Sequence, residues 1–110
     1  MIERLFVYGT LAPGRPNEYV LGKVEGSWEP ATTRGILRQE GWGAKMGYPG
    51  IVLDENGDEV QGFLFSSEKL SDQWKMLDEF EGEAYERVIT VAKLSDNRTV
   101  ESYIYALKEK

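Results

Sequence analysis

Only one stretch of this chain sets its apolar residues at full helical spacing. Leu70, Trp74 and Leu77 recur at i, i+4 and i+7, between Ser66 and Ser67, either of which can cap a helix start, and Gly82, which can end one. The spacing predicts one main amphipathic helix over 68–80, with its stripe facing the core. The other apolar residues come in short runs rich in β-branched and aromatic side chains, broken by glycine, proline and asparagine. Strands therefore outnumber helices, and the helix must cover a small sheet. That pattern is α+β.

The runs can be placed in order. Residues 5–8 read as a short buried strand that runs straight into Gly9-Thr10-Leu11 and a loop bearing Pro13 and Pro16. Residues 17–21 suffice for one helical turn before Gly22. Residues 32–37 form a strand in which Gly35 marks a bulge or a close backbone approach. Residues 41–50 contain four glycines, a proline, Trp42 and Tyr48, a composition suited to a loop that walls a pocket or pins itself to the core by its rings. Residues 51–53 and 60–65 flank the Asn56-Gly57 pair, which predicts a β-hairpin. Residues 88–92 and 100–105 predict a second hairpin across 95–98, with Tyr103 and Tyr105 on one strand face.

Composition narrows the chemistry. A length of 110 residues fits a single domain, 1–110, with no room for a separate cofactor module, and no cofactor is expected. The absence of histidine and cysteine removes Ser-His-Asp catalysis, thiolate chemistry and the usual transition-metal ligands. The acidic turn at 54–58 lacks the spaced ligands of a calcium loop and is explained by its hairpin, so no metal site is expected. A net charge of −6 argues against nucleic acid. No apolar run reaches about 18 residues and no signal-peptide pattern opens the chain, which makes the cytoplasm the expected location and a membrane an unexpected partner. Oligomeric state is not legible.

Any chemistry must then rest on carboxylates, hydroxyls, lysine, arginine or backbone. Residues 77–87 carry an acidic run off the helix end, with Asp78, Glu79, Glu81, Glu83 and Glu86 close together. The negative end of the helix and the like charges both disfavour ionisation and would raise a carboxyl pKa toward a value useful to a general acid/base. Glu81 is the lead catalytic candidate, against the plainer reading that all these acids are solvated surface groups. At the other end of the chain, Gly9 can take positive φ, and the amides of Gly9, Thr10 and Leu11 could converge on a carboxylate or oxyanion; an ordinary strand exit is the plainer alternative.

Four segments in order, 6–11, 47–50, 60–65 and 77–82 followed by Tyr85 and Arg87, resemble the gamma-glutamylcyclotransferase-like family, which includes the AIG2-like proteins. The resemblance spans about residues 5 to 105. It implies a small mixed β-barrel of about five to six strands with one main helix, and a pocket between the Tyr8 loop and Glu81. It also implies that Tyr8, Gly9, Thr10 and Leu11 hold a glutamyl head while Glu81 moves protons. Tyr48 and Tyr85 are further pocket candidates, or core rings with satisfied hydroxyls, and Arg87 would pair with a nearby acid. Phe63 stands where many relatives carry glutamate, a departure expected to alter packing more than chemistry. The implied activity is cyclisation of a small-molecule gamma-glutamyl amide to 5-oxoproline with release of the amine. Because AIG2-like members include proteins with no assigned reaction, a non-catalytic metabolite-binding domain is the alternative.

Overall fold

A computed structural model gives the fold and describes residues 1–40, 47 and 49–108. In chain order it contains β1 (Glu3–Val7), α1 (Tyr19–Gly22), β2 (Ser27–Arg38), β3 (Gly50–Leu53), β4 (Asp58–Ser67), α2 (Trp74–Glu81), β5 (Tyr85–Leu94) and β6 (Thr99–Leu107). The strands lie in the order β3-β2-β4-β1-β6-β5, and a further pairing of β2 with β5 joins Ala31 to Leu94 and Thr32 to Lys93. Strands β2, β4, β1, β6 and β5 thus close a five-stranded barrel, with β3 added beside β2. Among the described residues, only β1 and β6 pair in parallel; the other ladders are antiparallel. The expected α+β class and mixed barrel are both present.

The closing seam is short, and a buried hydroxyl reinforces it. Thr33 Oγ1 donates to the Val91 carbonyl at 2.9 Å and lies 2.7 Å from Thr90 Oγ1. Its single proton is used on the carbonyl, so Thr90 donates to Thr33. Small side chains suit the narrow barrel: Ala31, Ala92 and Ala106 are buried beside Phe6, Leu64 and Ile104.

Two cores meet across β1. Phe6 belongs to the barrel interior, while Leu5 and Val7 belong to a second cluster with Leu70 and Leu77 beneath the helix. Burial on both faces explains why residues 5–7 read as an unbroken apolar run rather than an alternating one. The predicted helix over 68–80 is present in two pieces. A 3₁₀ turn covers Leu70–Asp72 and α2 follows it, ending at Gly82 with φ 82°. Ser67 Oγ accepts the Lys69 N–H at 2.9 Å and donates to the Glu25 carbonyl, so the serine caps the turn that leads into the helix. The 95–98 hairpin forms as expected, with Asn97 at φ 70°.

The Asn56-Gly57 hairpin does not form. β3 and β4 pair with opposite sides of β2, and both run antiparallel to it, so they are parallel to one another. Residues 54–57 cross β2 at Gly35. The Asp54 N–H reaches the Arg34 carbonyl at 3.4 Å, and Arg34 Nη1 donates to the Gly57 carbonyl at 3.0 Å. Gly57 does not have the positive φ of a tight hairpin turn. It is needed for contact: a Cβ there would lie 2.6 Å from the Gly35 carbonyl oxygen. The apolar flanks and the turn pair were read correctly, but two strands bounded by a turn signal need not be each other's partners.

Gly57→Ala should destabilise the protein by about 1–3 kcal/mol, since rigid backbone must yield to the added methyl. Gly22→Ala meets nothing within 4 Å and should be neutral or slightly stabilising. Urea denaturation of the two variants checks the contrast; equal stabilities would mean that the crossing at Gly35 is looser than described.

Candidate active site

Where β1 ends, the chain turns away from the sheet and leaves a small cavity of about 40 Å³ against the last residue of α2. Its lining runs from Leu5 through Leu11 and is completed by Pro49, Glu81, Tyr85 and Tyr105. The structure therefore brings Tyr8, Gly9, Thr10, Leu11, Tyr85 and Glu81 together from segments some seventy residues apart. Tyr48 lies outside the described residues, as does Trp42.

The turn after β1 is built from carbonyls. The Ala12 N–H bonds the Gly9 carbonyl at 3.2 Å and the Asn17 N–H bonds the Thr10 carbonyl at 2.9 Å. Among the described residues, the hydrogen bonds that close this turn make no use of the N–H groups of residues 9 to 11. One expectation is corrected: Gly9 does not take positive φ. A Cβ at Gly9 would also meet nothing within 4 Å. Neither backbone conformation nor internal packing demands glycine there, which leaves open space beside the cavity as the feature glycine preserves.

Glu81 is separated from its acidic neighbours by burial. Glu79, Glu83 and Glu86 are exposed, as the plainer reading held, whereas Glu81 is half-buried in the cavity wall. Desolvation there pushes its carboxyl up from 4.5 to about 7. The direction matches the sequence argument, but the cause is corrected from helix end and like charge to burial. A carboxyl poised near neutrality can both accept and return a proton.

The tyrosines divide by role. Tyr8 donates to the Tyr105 carbonyl at 2.8 Å and accepts the Ile51 N–H at 3.1 Å, so its hydroxyl is engaged in tying β1, β3 and β6 together. Burial raises the pKa of that hydroxyl, the Ile51 hydrogen bond opposes the rise, and the proximity of Tyr85 and Glu81 adds to it. Tyr8 keeps its proton and offers the cavity its ring. Tyr85 is buried beside it at the start of β5, immediately after the Gly82 turn.

Sequence reasoning missed Tyr105. Its two-residue spacing from Tyr103 placed the two on one strand face, which the structure packs on the helix-side core, but only the register of β6 against β1 and β5 brings Tyr105 to the cavity. Its hydroxyl donates to Asp78 Oδ1 at 2.6 Å, and Arg87 binds the same carboxylate through Nε at 3.0 Å and Nη2 at 3.3 Å. The pairing expected for Arg87 is thus present. Partial burial tends to raise the Asp78 pKa, but the Arg87 and Tyr105 hydrogen bonds and the Arg87 charge prevail and hold it low. Phe63 does not line the cavity; it packs on Trp28, edge to face at 6.5 Å, as a packing residue should. Among the described residues, no three acidic side chains gather to hold a metal ion, and no helix is long and apolar enough to cross a membrane.

A closed mixed barrel with a half-buried glutamate facing a strand-end turn defines a compact class of fold and site. The family model described as "Gamma-glutamyl cyclotransferase, AIG2-like" matches residues 5–110, so the chain belongs to that family. Among solved structures it is similar to YkqA from Bacillus subtilis, at 25% identity and TM-score 0.74 over 98% of this chain, but it spans only 36% of that protein's length. An AIG2-like protein from Mus musculus matches at 23% identity and TM-score 0.74, covering 96% of this chain and 76% of the other. A protein described as gamma-glutamyl cyclotransferase matches at 16% identity and TM-score 0.67, covering 99% and 68%. The last two likenesses concern the fold. No curated protein sequence matches the chain.

The raised Glu81 pKa has a thermodynamic consequence. A group that holds its proton more tightly when folded contributes stability that is full below its unfolded pKa and lost as pH rises through its folded pKa, here from 4.5 through about 7. Glu81→Gln removes that dependence. The variant should match wild type near pH 4 and exceed it by on the order of 2–3 kcal/mol at about pH 8. Urea denaturation at both pH values measures the difference; a constant difference would mean that Glu81 is not desolvated.

Proposed function

We propose that the protein cyclises the gamma-glutamyl group of a small amide or peptide, forming 5-oxoproline and releasing the free amine. The observation that carries this reading is the half-buried carboxyl of Glu81, raised to about 7 and set in the same cavity as the turn at residues 9 to 11. Family membership supports the reaction class.

The reaction makes modest demands. Its nucleophile is the substrate's own α-amine, already tethered to the γ-carbonyl it attacks, so the protein must fold the substrate back and shuttle protons from the attacking nitrogen to the leaving one. Glu81 as carboxylate takes a proton from the α-ammonium. The freed amine attacks the γ-carbonyl carbon and a ring C–N bond forms; the former amide C–N bond breaks as Glu81 returns the proton to the leaving nitrogen, and the second proton of the ring nitrogen passes through the same carboxylate to the released amine, which departs as its ammonium ion. The carboxyl ends as it began. The N–H groups of residues 9 to 11 are the donors proposed for the substrate's α-carboxylate, and the rings of Tyr8 and Tyr85 wall the glutamyl chain. A pKa near that of the operating pH suits a group that must act in both directions.

The test is incubation with a panel of gamma-glutamyl amines, gamma-glutamyl dipeptides and glutathione, with 5-oxoproline detected by mass spectrometry. Wild type should form it, with kcat/KM falling on the acid side around pH 7, as Glu81 gains its proton. Glu81→Gln should lose on the order of 10²–10⁴-fold in turnover while retaining most substrate binding. The Glu79→Gln and Glu83→Gln variants should stay close to wild type. Binding without 5-oxoproline from any member of the panel would instead identify a non-catalytic metabolite-binding domain.

A further inference from the structure

Glu81 occupies an insecure place in the backbone. It is the last residue of an eight-residue helix that has no side-chain cap at its start, and the next residue is Gly82 at φ 82°. Helix ends of this kind are prone to fray because their last carbonyls lack intrahelical partners, even where, as here, Leu77 and Phe80 seat one face of the last turn on the core. A proton-transfer group needs its position fixed to a fraction of an ångström. The requirement and the local structure conflict unless something outside the helix restrains its end.

Asp78 supplies a restraint, one helical turn before Glu81. Its carboxylate is gripped from two strands, by the Tyr105 hydroxyl of β6 at 2.6 Å and by Nε and Nη2 of Arg87 of β5 at 3.0 and 3.3 Å. The Arg87 guanidinium is itself held over the Trp74 ring at 4.4 Å and the Tyr103 ring at 5.0 Å, so the start of α2 and strand β6 orient it. A two-point fork between fixed partners is directional in a way that a lysine pair would not be. The Asp78 side chain is 46% exposed, so the pair adds little to stability by charge alone, and its value lies in geometry. The same carboxylate reaches the cavity through Tyr105, whose ring lines it and whose carbonyl is fixed by Tyr8.

We infer that Asp78 is the positioning residue of this site: clamped by Tyr105 and Arg87, it keeps the last turn of α2 from fraying and so fixes the Glu81 carboxyl in the cavity. This rests on reading Glu81 as the acid/base group. The titratable groups that meet Glu81 are Tyr8 after β1, Tyr85 on β5 and Tyr105 on β6, and the charged pair of Asp78 on α2 and Arg87 on β5 joins them through the Tyr105 hydroxyl. With Asp78 neutral the clamp is lost and water reaches a loosened helix end. Burial is what raises the Glu81 pKa, so this rehydration lowers it and the acid limb of kcat/KM moves to lower pH.

The experiment compares wild type, Asp78→Asn, Arg87→Gln and the double variant. The Gly82 N–H bonds the Asp78 carbonyl at 3.1 Å, so its hydrogen exchange reports opening of this turn without requiring turnover. In Asp78→Asn, Gly82 exchange should quicken and kcat should fall, each by about tenfold or more, while KM changes less than about threefold. The double variant should be no worse than the poorer single one, because the clamp acts as a unit. Arg87→Lys keeps the charge but not the fork and should restore only part of kcat. Unchanged Gly82 exchange would overturn the inference, and so would faster exchange with unchanged kcat and acid limb. Should Asp78→Asn fail to fold, Tyr105→Phe removes a single hydroxyl and must show the same pattern. If wild type turns over no gamma-glutamyl amide, the functional reading fails, and Gly82 exchange alone decides whether the clamp exists.

Discussion

Burial of β1 on both faces is the constraint on which the rest of the structure depends. Leu5 and Val7 are covered by the layer beneath the helix while Phe6 fills the barrel, and each such side chain contributes about 1.5–3 kcal/mol when fully removed from water. A strand held this way has little freedom to shift along its neighbours, because a slip of one residue would exchange its two faces and place Phe6 under the helix. The register of β1 against β4 and β6 is thereby fixed, and with it the point at which the chain leaves the sheet.

That exit is where the site forms. The turn at Gly9 opens between the two cores, and the cavity inherits walls from both: Phe6 and Tyr8 from the barrel side, Leu5, Val7, Tyr85 and Tyr105 from the helix side. Glu81 meets the cavity because Leu77, one turn earlier, is fully buried in the helix-side core and sets the helix's rotation. The same burial disfavours its charge. A surface carboxylate would have left the fold more stable at neutral pH, so this placement sacrifices stability for a carboxyl able to exchange a proton there.

Much of this was legible from residues alone. The helix was visible because Leu70, Trp74 and Leu77 repeat at a period no strand shares, and its stop because Gly82 follows an unbroken helical run. The 95–98 hairpin was visible because its strands are adjacent in sequence and in space. The 54–57 crossing was not, since the Asn56-Gly57 signal describes a local bend and says nothing about which strand lies between its flanks. Glu81 could be picked from five acids through the resemblance, but its burial depends on tertiary packing, and the helix-end argument gave the right direction for a different physical cause. Tyr105 escaped notice because its approach to Asp78 joins residues 27 apart, through a β5–β6 register that no short window of sequence encodes.

The proposed reaction requires one glutamyl head to lie between the turn at residues 9 to 11 and the Glu81 carboxyl. The most direct measurement is a crystal structure of the Glu81→Gln protein with an uncleaved gamma-glutamyl amide bound. In that crystal the substrate's α-carboxylate should lie within hydrogen-bond distance of the N–H groups of residues 9 to 11, with its α-amine and γ-carbonyl carbon facing residue 81. A ligand found in the separate cleft lined by Arg15, Gln61 and Lys93, with the Glu81 cavity closed, would contradict it.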